Sequence, residues 1–130
     1  KIIEMEKKKT GKLFSFCCAA PAIITNKSNK EINFFEDIGL NIGLLFQISD
    51  DLIDFRGDSK KAGKKTGKDL KKGKATLISL LGYKNAIKYC EKIILDINKN
   101  LKKYGSNSKK IKGTLDYILY RDKWDRVTNI

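Results

Sequence analysis

Residues 32–55 read INFFEDIGLNIGLLFQISDDLIDF, and this stretch decides the fold. Apolar side chains occur on nearly every side of a helix drawn through it, so we predict one long helix without a wet face. Such a helix belongs at the centre of a bundle, where other helices surround it. Gly39 and Gly43 lie four residues apart, and we expect them to let a neighbouring helix approach closely.

The flanking segments also carry helical signals, and none shows the two-residue alternation of a strand. We predict helical segments at residues 1–25, 75–81, 83–104 and 111–120. The first is expected to break near Gly11 and to kink at Pro21, and the third to end at Gly105. The chain is therefore predicted to be all-α, with residues 1–130 forming a single domain.

Composition excludes several classes of protein. The 130 residues are 41% hydrophobic, which is enough for a core. No window reaches the roughly 20 apolar residues of a membrane span. The chain has no histidine, which excludes Ser-His-Asp triads, His-ligated zinc and imidazole catalysis. Cys17, Cys18 and Cys90 suit no CxxC pair or disulfide framework, so we predict three apolar core residues and a cytoplasmic location.

The positive charge is unevenly distributed. The chain has a net charge of +13, and 25 of its 28 cationic residues are Lys rather than Arg. Lys, Asn and Ile make up 51 of 130 residues, as an A/T-rich genome produces without selection for nucleic-acid binding. One local excess remains, because residues 60–74 hold eight Lys and one Asp. Residues 56–74 lack apolar periodicity, so we predict a long Lys/Gly-rich loop with a function.

Four oxygen-bearing side chains share one side of the central helix, namely Gln47, Asp50, Asp51 and Asp54. Carboxylates placed so closely among apolar residues repel one another unless a cation compensates. Oxygen ligands without His or Cys suit a hard cation, above all Mg²⁺. A solvated acidic patch at a helix end is the alternative interpretation of these four residues.

The loop that follows strengthens the first interpretation. It contains Gly57-Asp58, Gly63-Lys64, Gly67-x-Asp69 and Gly73-Lys74-Ala75-Thr76. Glycines let backbone approach a phosphate, and lysines bring charge to its oxygens. The spacing is not that of a P-loop. Taken alone the loop would suit a solvated linker, but beside the carboxylates it indicates a diphosphate site.

Several pieces in order resemble a known family. They are Lys9-Thr10-Gly11, Phe46-Gln47, the DDLID of residues 50–54, the Gly/Lys pairs above and the YILYRDK of residues 117–123. In this order the chain resembles the trans-isoprenyl diphosphate synthases of the farnesyl/geranylgeranyl type. The resemblance implies a helical bundle of the isoprenoid synthase type. It also implies a Mg²⁺-dependent short-chain trans-prenyltransferase, of the farnesyl diphosphate synthase type, that condenses an allylic diphosphate with isopentenyl diphosphate in isoprenoid biosynthesis.

The resemblance also assigns roles to residues. It implies that Asp50 and Asp54 hold Mg²⁺, with Asp51 beside them, and that Gln47 binds metal-bound water or diphosphate. The implied catalytic residues are Lys9, Thr10, Gln47 and Lys64, and the substrate diphosphates are also bound by Lys74, Arg121 and Lys123.

Other features depart from the family pattern. The family's first Asp-rich motif and its upstream grip on isopentenyl diphosphate do not occur, so the chain resembles the C-terminal half of a synthase. We expect this half alone to be inactive and the complete enzyme to be a homodimer. Three alternatives stay open: a non-catalytic subunit of a heteromeric synthase, a terpene cyclase or head-to-head synthase, and a basic nucleic-acid-binding module. The last is disfavoured because residues 60–74 lack Arg and aromatic side chains.

Overall fold

The computed structural model describes residues 1–61 and 76–124, and only the backbone at 58–61 and 123–124. The helices are α1 (Ile2–Glu6), α2 (Lys12–Ile24), α3 (Asn29–Lys61), α4 (Leu77–Leu81), α5 (Tyr83–Asn100) and α6 (Lys109–Trp124). A π-helical turn (Lys7–Gly11) joins α1 to α2, and a 3₁₀ segment (Leu101–Ser108) joins α5 to α6. These described residues contain no strand, which confirms the all-α prediction.

Helix α3 occupies the centre, as its sequence predicts. It packs against α1, α2, α4, α5, α6 and the π-helical turn. Its fully buried side chains include Leu44, Leu45, Ile48, Leu52 and the hydroxyl-bearing Ser49. Removing this many large apolar side chains from water is the main term that holds the bundle together, at about 1.5–3 kcal/mol for each.

The crossing of α2 and α3 depends on glycine. A Cβ at Gly39 would lie 2.5 Å from both the carbonyl oxygen of Phe14 and the Cα of Ser15. A Cβ at Gly43 would lie 2.7 Å from the Cα of Gly11 on the π-helical turn. Only glycine fits at such distances, because the atoms in the way belong to backbone and cannot rotate aside. The predicted close approach is confirmed.

Helices α5 and α6 cover another side of α3. The predicted amphipathic period of α5 is confirmed, because Ala86, Cys90, Ile93, Ile94 and Ile97 are its buried residues. The helix ends at Asn100 and continues as the 3₁₀ segment, within which Gly105 has a φ of 55°. That left-handed conformation is the reason for a glycine there. Helix α6 contributes Leu115, Ile118 and Leu119 to the core.

The structure corrects the start of the predicted loop. Residues 56–61 belong to α3, which continues for six residues beyond Phe55, while residues 62–75 lie outside the described part of the chain. Helix α2 runs through Pro21, and the expected break near Gly11 takes the form of the π-helical turn. Helix α6 reaches Trp124, so Arg121 is part of a helix.

The three cysteines differ from one another. Cys90 is fully buried, and its burial raises the pKa of the thiol to about 12. Cys18 is half-buried, and burial, followed by the neighbouring Cys17, raises the pKa of its thiol. Cys17 is exposed on α2. The prediction of a core residue is therefore wrong for Cys17, because this face of α2 is open to solvent; Leu13 and Phe16 are 67% and 65% exposed on the same helix.

Candidate active site

The π-helical turn places the Lys9-Thr10-Gly11 motif against the middle of α3. A π turn inserts an extra residue into a helix and is frequent at functional sites. Gly11 is buried, and a Cβ there would lie 3.3 Å from the Cδ2 of Leu40. The motif is thus seated on α3 through its glycine, with Thr10 half-buried and Lys9 exposed beside it.

Thr10 and Gln47, which the sequence assigns to one site, are in direct contact. The Oγ1 of Thr10 donates a hydrogen bond of 2.8 Å to the Oε1 of Gln47. The two residues are 37 positions apart in the chain and belong to different elements. Because the Gln47 carbonyl oxygen accepts from Thr10, its amide nitrogen is left to donate to another acceptor.

The carboxylates follow Gln47 by one to two turns on α3. Asp50 and Asp51 are partly exposed, and Asp54 is exposed. Among the side chains that the structure describes, no three His, Cys, Asp or Glu residues converge on a point that could hold a metal. A closed protein cage is thus not present there. An open site with one or two carboxylates, in which water and substrate phosphate complete the coordination, fits this donor set and is what Mg²⁺ ordinarily uses.

Arg121, near the end of α6, contacts α3 beside these carboxylates. Its Nη1 donates to the Oγ of Ser49 at 3.0 Å and to the carbonyl oxygen of Ile118 at 2.7 Å. Its Nη2 forms an ion pair with Oδ1 of Asp50. The guanidinium carbon lies 5.1 Å from the ring centre of Phe46, a cation–π distance. A predicted substrate-binding residue and a predicted metal residue are therefore bonded to each other.

Ser49 explains why this arrangement is fixed. Its side chain is fully buried on α3, and its hydroxyl donates a 2.5 Å hydrogen bond to the carbonyl oxygen of Ile118. The same oxygen atom of Ser49 accepts from Arg121. This buried hydroxyl both donates and accepts, so it joins α3 to α6 and holds the guanidinium at the same time.

A second ion pair joins α3 to α6 nearer the end of α3. The Nη2 of Arg56 lies 2.7 Å from Oδ1 of Asp122, and its Nη1 donates to the hydroxyl of Tyr83 at 3.0 Å. The two charged side chains are 16% and 19% exposed, whereas Arg121 and Asp50 are 21% and 40% exposed. The pair that includes Asp50, one of the aligned carboxylates Asp50, Asp51 and Asp54 (the carboxylate stripe), is thus the more exposed to solvent.

The structure brings four of the predicted residues to the middle of α3 as two contacting pairs. Thr10 bonds to Gln47, and Arg121 pairs with Asp50 one turn further along the helix. Lys64 and Lys74 lie outside the described residues, as does the side chain of Lys123, whose backbone is in α6. Sequence reasoning missed Ser49 at the site and the structural ion pair that Arg56 forms outside it. The available signal was rarity: Arg56 and Arg121 are two of only three arginines among 28 cationic residues.

Comparison with known proteins decides the family. The family model for polyprenyl synthetases matches residues 1–118. The chain belongs to the polyprenyl synthetase family. This membership agrees with the helical architecture described above and confirms the all-α bundle of the isoprenoid synthase type that the sequence predicts.

The polyprenyl synthetase relatives span several organisms. The chain is 33% identical to the farnesyl diphosphate synthase of Micrococcus luteus over 88% of its own length and 40% of the relative's. It is 36% identical to the short chain isoprenyl diphosphate synthase of Methanocaldococcus jannaschii, over 77% and 31%. It is 31% identical to the farnesyl diphosphate synthase of Escherichia coli, over 92% and 41%. The chain therefore spans less than half the length of these relatives. Across its described helices, none is long and apolar enough to cross a membrane.

Proposed function

We propose that this chain supplies the metal-binding side of a prenyltransferase that condenses an allylic diphosphate with isopentenyl diphosphate. The observation that carries the proposal is the placement of two contacting pairs, Thr10 with Gln47 and Arg121 with Asp50, one turn apart in the middle of α3. Three elements contribute to it, and each contributes the residue that the sequence assigned. The family match, together with relatives named as prenyl diphosphate synthases, supports the same chemistry.

Asp50 and Asp54 would hold Mg²⁺ in this site, with Asp51 beside them. They are one helical turn apart on the same side of α3, and their oxygens are the donors that Mg²⁺ prefers. Bound Mg²⁺ would neutralise the charge that develops on the departing diphosphate. Gln47 would orient the diphosphate or a bound water by donating from its amide nitrogen, because its oxygen accepts from Thr10.

The reaction breaks the carbon–oxygen bond of the allylic diphosphate, and the bonding electrons leave with the diphosphate. The double bond of isopentenyl diphosphate then forms a new carbon–carbon bond with the allylic cation, and the product loses a proton. The cation must be kept from water. The side chains around Thr10 and Gln47 suit this requirement, since Phe14 and Phe46 lie ring to ring at 5.5 Å.

The remaining assignments are part of the same proposal. Lys9, Lys64 and Lys74 would contact the allylic diphosphate, and Arg121 and Lys123 would lie near isopentenyl diphosphate. The exposed position of Lys9 beside Thr10 supports the first assignment. Three free cysteines support a reducing, cytoplasmic location. Assembly of the synthase as a homodimer stays a prediction.

The test is binding of inorganic diphosphate to the full chain, measured by titration calorimetry. We expect binding with Mg²⁺ present, and none with EDTA, because carboxylate-bound metal and the lysines must hold the anion together. Single-stranded oligonucleotide should not bind at physiological salt. Binding of oligonucleotide without Mg²⁺, together with no response to diphosphate, would favour the nucleic-acid module. We expect no condensation of isopentenyl diphosphate by this chain alone.

A further inference from the structure

The two terminal nitrogens of Arg121 have different partners. Nη1 is bound to two groups inside the bundle, the hydroxyl of Ser49 and the carbonyl oxygen of Ile118. Among the described residues, Nη2 has one partner, the carboxylate of Asp50. The Ser49 hydroxyl is buried and the Ile118 oxygen belongs to the backbone, whereas the side chain of Asp50 is 40% exposed. The guanidinium is therefore anchored at one nitrogen and faces an open carboxylate with the other.

Asp50 is consequently shared between two cations. The proposed function gives it to Mg²⁺, and the structure pairs it with Arg121. A partly exposed ion pair of this kind contributes little to stability, so it can be exchanged. A divalent ion that binds Asp50 and Asp54 together would outcompete a single guanidinium nitrogen, particularly when it carries a diphosphate.

We infer that Arg121 is an exchangeable counter-ion of the metal site. With no metal bound, Nη2 neutralises Asp50. When metal and diphosphate bind, Nη2 leaves Asp50 and donates to a phosphate oxygen, while Nη1 stays on Ser49 and Ile118. The inference rests on the proposed function, and it makes Arg121 a positioning residue for Asp50 before it is a ligand for the anion.

The fork of the guanidinium is what this exchange requires. Arginine offers separate nitrogens in a fixed plane, so one can stay anchored while the other changes partner. A lysine at 121 could pair with Asp50 through its single nitrogen, but it could not hold the anchor and the phosphate together. The aromatic face of Phe46 at 5.1 Å further restrains the plane of the guanidinium.

The chain offers a matched control in Arg56. Its pair with Asp122 also joins α3 to α6 and is also partly buried, but its partners are Asp122 and Tyr83 rather than the carboxylate stripe. Loss of either arginine removes one ion pair between the same two helices. Only loss of Arg121 should change metal and anion binding.

The experiment measures two affinities of the full chain, its Arg121→Met, Arg121→Lys and Arg56→Met variants. The first is for Mn²⁺ alone, from the electron paramagnetic resonance signal of the free ion. The second is for inorganic diphosphate at saturating Mn²⁺, by calorimetry. In Arg121→Met we expect Mn²⁺ to bind about threefold more tightly, because its competitor is gone, and diphosphate about fivefold more weakly, because a donor is gone.

The two other variants complete the test. Arg121→Lys should leave Mn²⁺ affinity near that of the unsubstituted chain and still lose roughly fivefold in diphosphate affinity. Arg56→Met should change neither affinity. Opposite changes in the two affinities are not what a merely structural residue produces, since loosening α6 would weaken the binding of both ligands.

Each contrary result identifies what is wrong. If Mn²⁺ binds equally or more weakly in Arg121→Met, Arg121 does not compete for Asp50 and the inference is overturned. The inference is also overturned if diphosphate affinity is unchanged in Arg121→Met, or if Arg121→Lys binds diphosphate as tightly as the unsubstituted chain. If the unsubstituted chain shows no metal-dependent diphosphate binding, the proposed function is overturned and the inference with it.

Discussion

The two halves of α3 are held in place by different forces. The first half, up to Ile48, meets α2 at the glycine crossing and is buried among apolar side chains of α5 and α6. The second half, from Ser49 onward, still buries Leu52, but it also meets α6 through the pairs Asp50–Arg121 and Arg56–Asp122. One continuous helix thus passes from a region of backbone contact into a region of exchangeable charge.

This difference in contacts indicates which part of α3 can rearrange without unfolding the chain. A large buried side chain in the first half contributes about 1.5–3 kcal/mol, and no flexible atom can relieve a clash at Gly39. A partly exposed ion pair in the second half contributes about 1 kcal/mol or less. The first half therefore fixes the position of α3. The charged side chains of the second half can exchange their ion-pair partners without loss of the fold.

The largest effect is expected from Asp50→Ala in the synthase. It should lower turnover roughly a thousandfold, because a ligand that acts on the transition state is lost. The free energy of unfolding should fall by about 1 kcal/mol or less, since only a partly exposed pair with Arg121 is removed. Turnover is measured by incorporation of labelled isopentenyl diphosphate, and unfolding by urea titration.

Asp37→Ala is the matched control for Asp50→Ala. Asp37 is an exposed carboxylate in the first half of the same helix, away from Thr10 and Gln47. Its removal should leave turnover within about twofold. Equal losses from both substitutions would mean that the two halves do not differ in function. Normal turnover in Asp50→Ala would make the carboxylate stripe a solvated surface.

The largest loss of stability is expected from Gly39→Ala in the first half. The added methyl group would lie 2.5 Å from the backbone of Phe14 and Ser15, so α2 and α3 must separate. We expect the free energy of unfolding to fall by about 3 kcal/mol. Urea or thermal unfolding measures it.

Gly113→Ala provides the opposite result on another helix. Nothing lies within 4 Å of a Cβ at Gly113, which is inside α6. Alanine there should stabilise the chain by about 0.5–1 kcal/mol, because glycine loses more backbone entropy in a helix. A neutral Gly39→Ala would show that the crossing adapts and that the first half of α3 is not rigid.

Much of the first half could be predicted from sequence. Apolar residues on every side of residues 32–55 indicate a central helix, and Gly39 and Gly43 indicate a close crossing. Burial of α2 could not be predicted in the same way. Leu13, Phe16 and Ile24 are as apolar as core residues, yet they are exposed. Composition records how apolar a side chain is, and not whether another element covers it.

The second half could be predicted less completely. The carboxylates stand out in sequence because they interrupt an apolar helix, as Gln47 does at the end of the first half, whereas Thr10 is assigned only through the resemblance to the family. Ser49 does not stand out, since its role depends on a carbonyl oxygen 69 positions away. The extension of α3 to Lys61 was also missed, because Gly57 and the following lysines suggest a loop. The pairing of Arg56 with Asp122 supports the helix there and is visible only in three dimensions.

The buried thiol of Cys90 tests the core through pH. The folded chain raises the pKa of this thiol from 9.0 to about 12, so the folded state holds the proton more tightly than the unfolded state. The contribution to stability is complete below about pH 9 and is lost as pH rises towards 12. At pH 10.5 we expect the free energy of unfolding to have fallen by about 2 kcal/mol through this group alone.

Cys90→Ala isolates that contribution. The variant should be less stable at pH 7 by about 1–2 kcal/mol, because a small cavity replaces the sulfur. Its stability should then fall less steeply above pH 9 than that of the parent chain. The pKa values of Tyr89 and Tyr120 are also raised, chiefly by burial and in part by Cys90, so the difference between the two chains includes the effect of Cys90 on these neighbouring groups. Parallel pH curves would show that Cys90 opens to water.

The smallest effect is expected for the pair between Arg56 and Asp122. A double-mutant cycle with Arg56→Met and Asp122→Asn, followed by urea unfolding, should give a coupling energy of about 1 kcal/mol or less. The two side chains are only 16% and 19% exposed, so added salt should reduce this coupling incompletely. A coupling of about 3 kcal/mol or more, unaffected by salt, would contradict the comparison between the halves of α3. The second half would then be as firmly fixed as the glycine crossing, and a nearby charge such as Arg121 would have less freedom to exchange its partner.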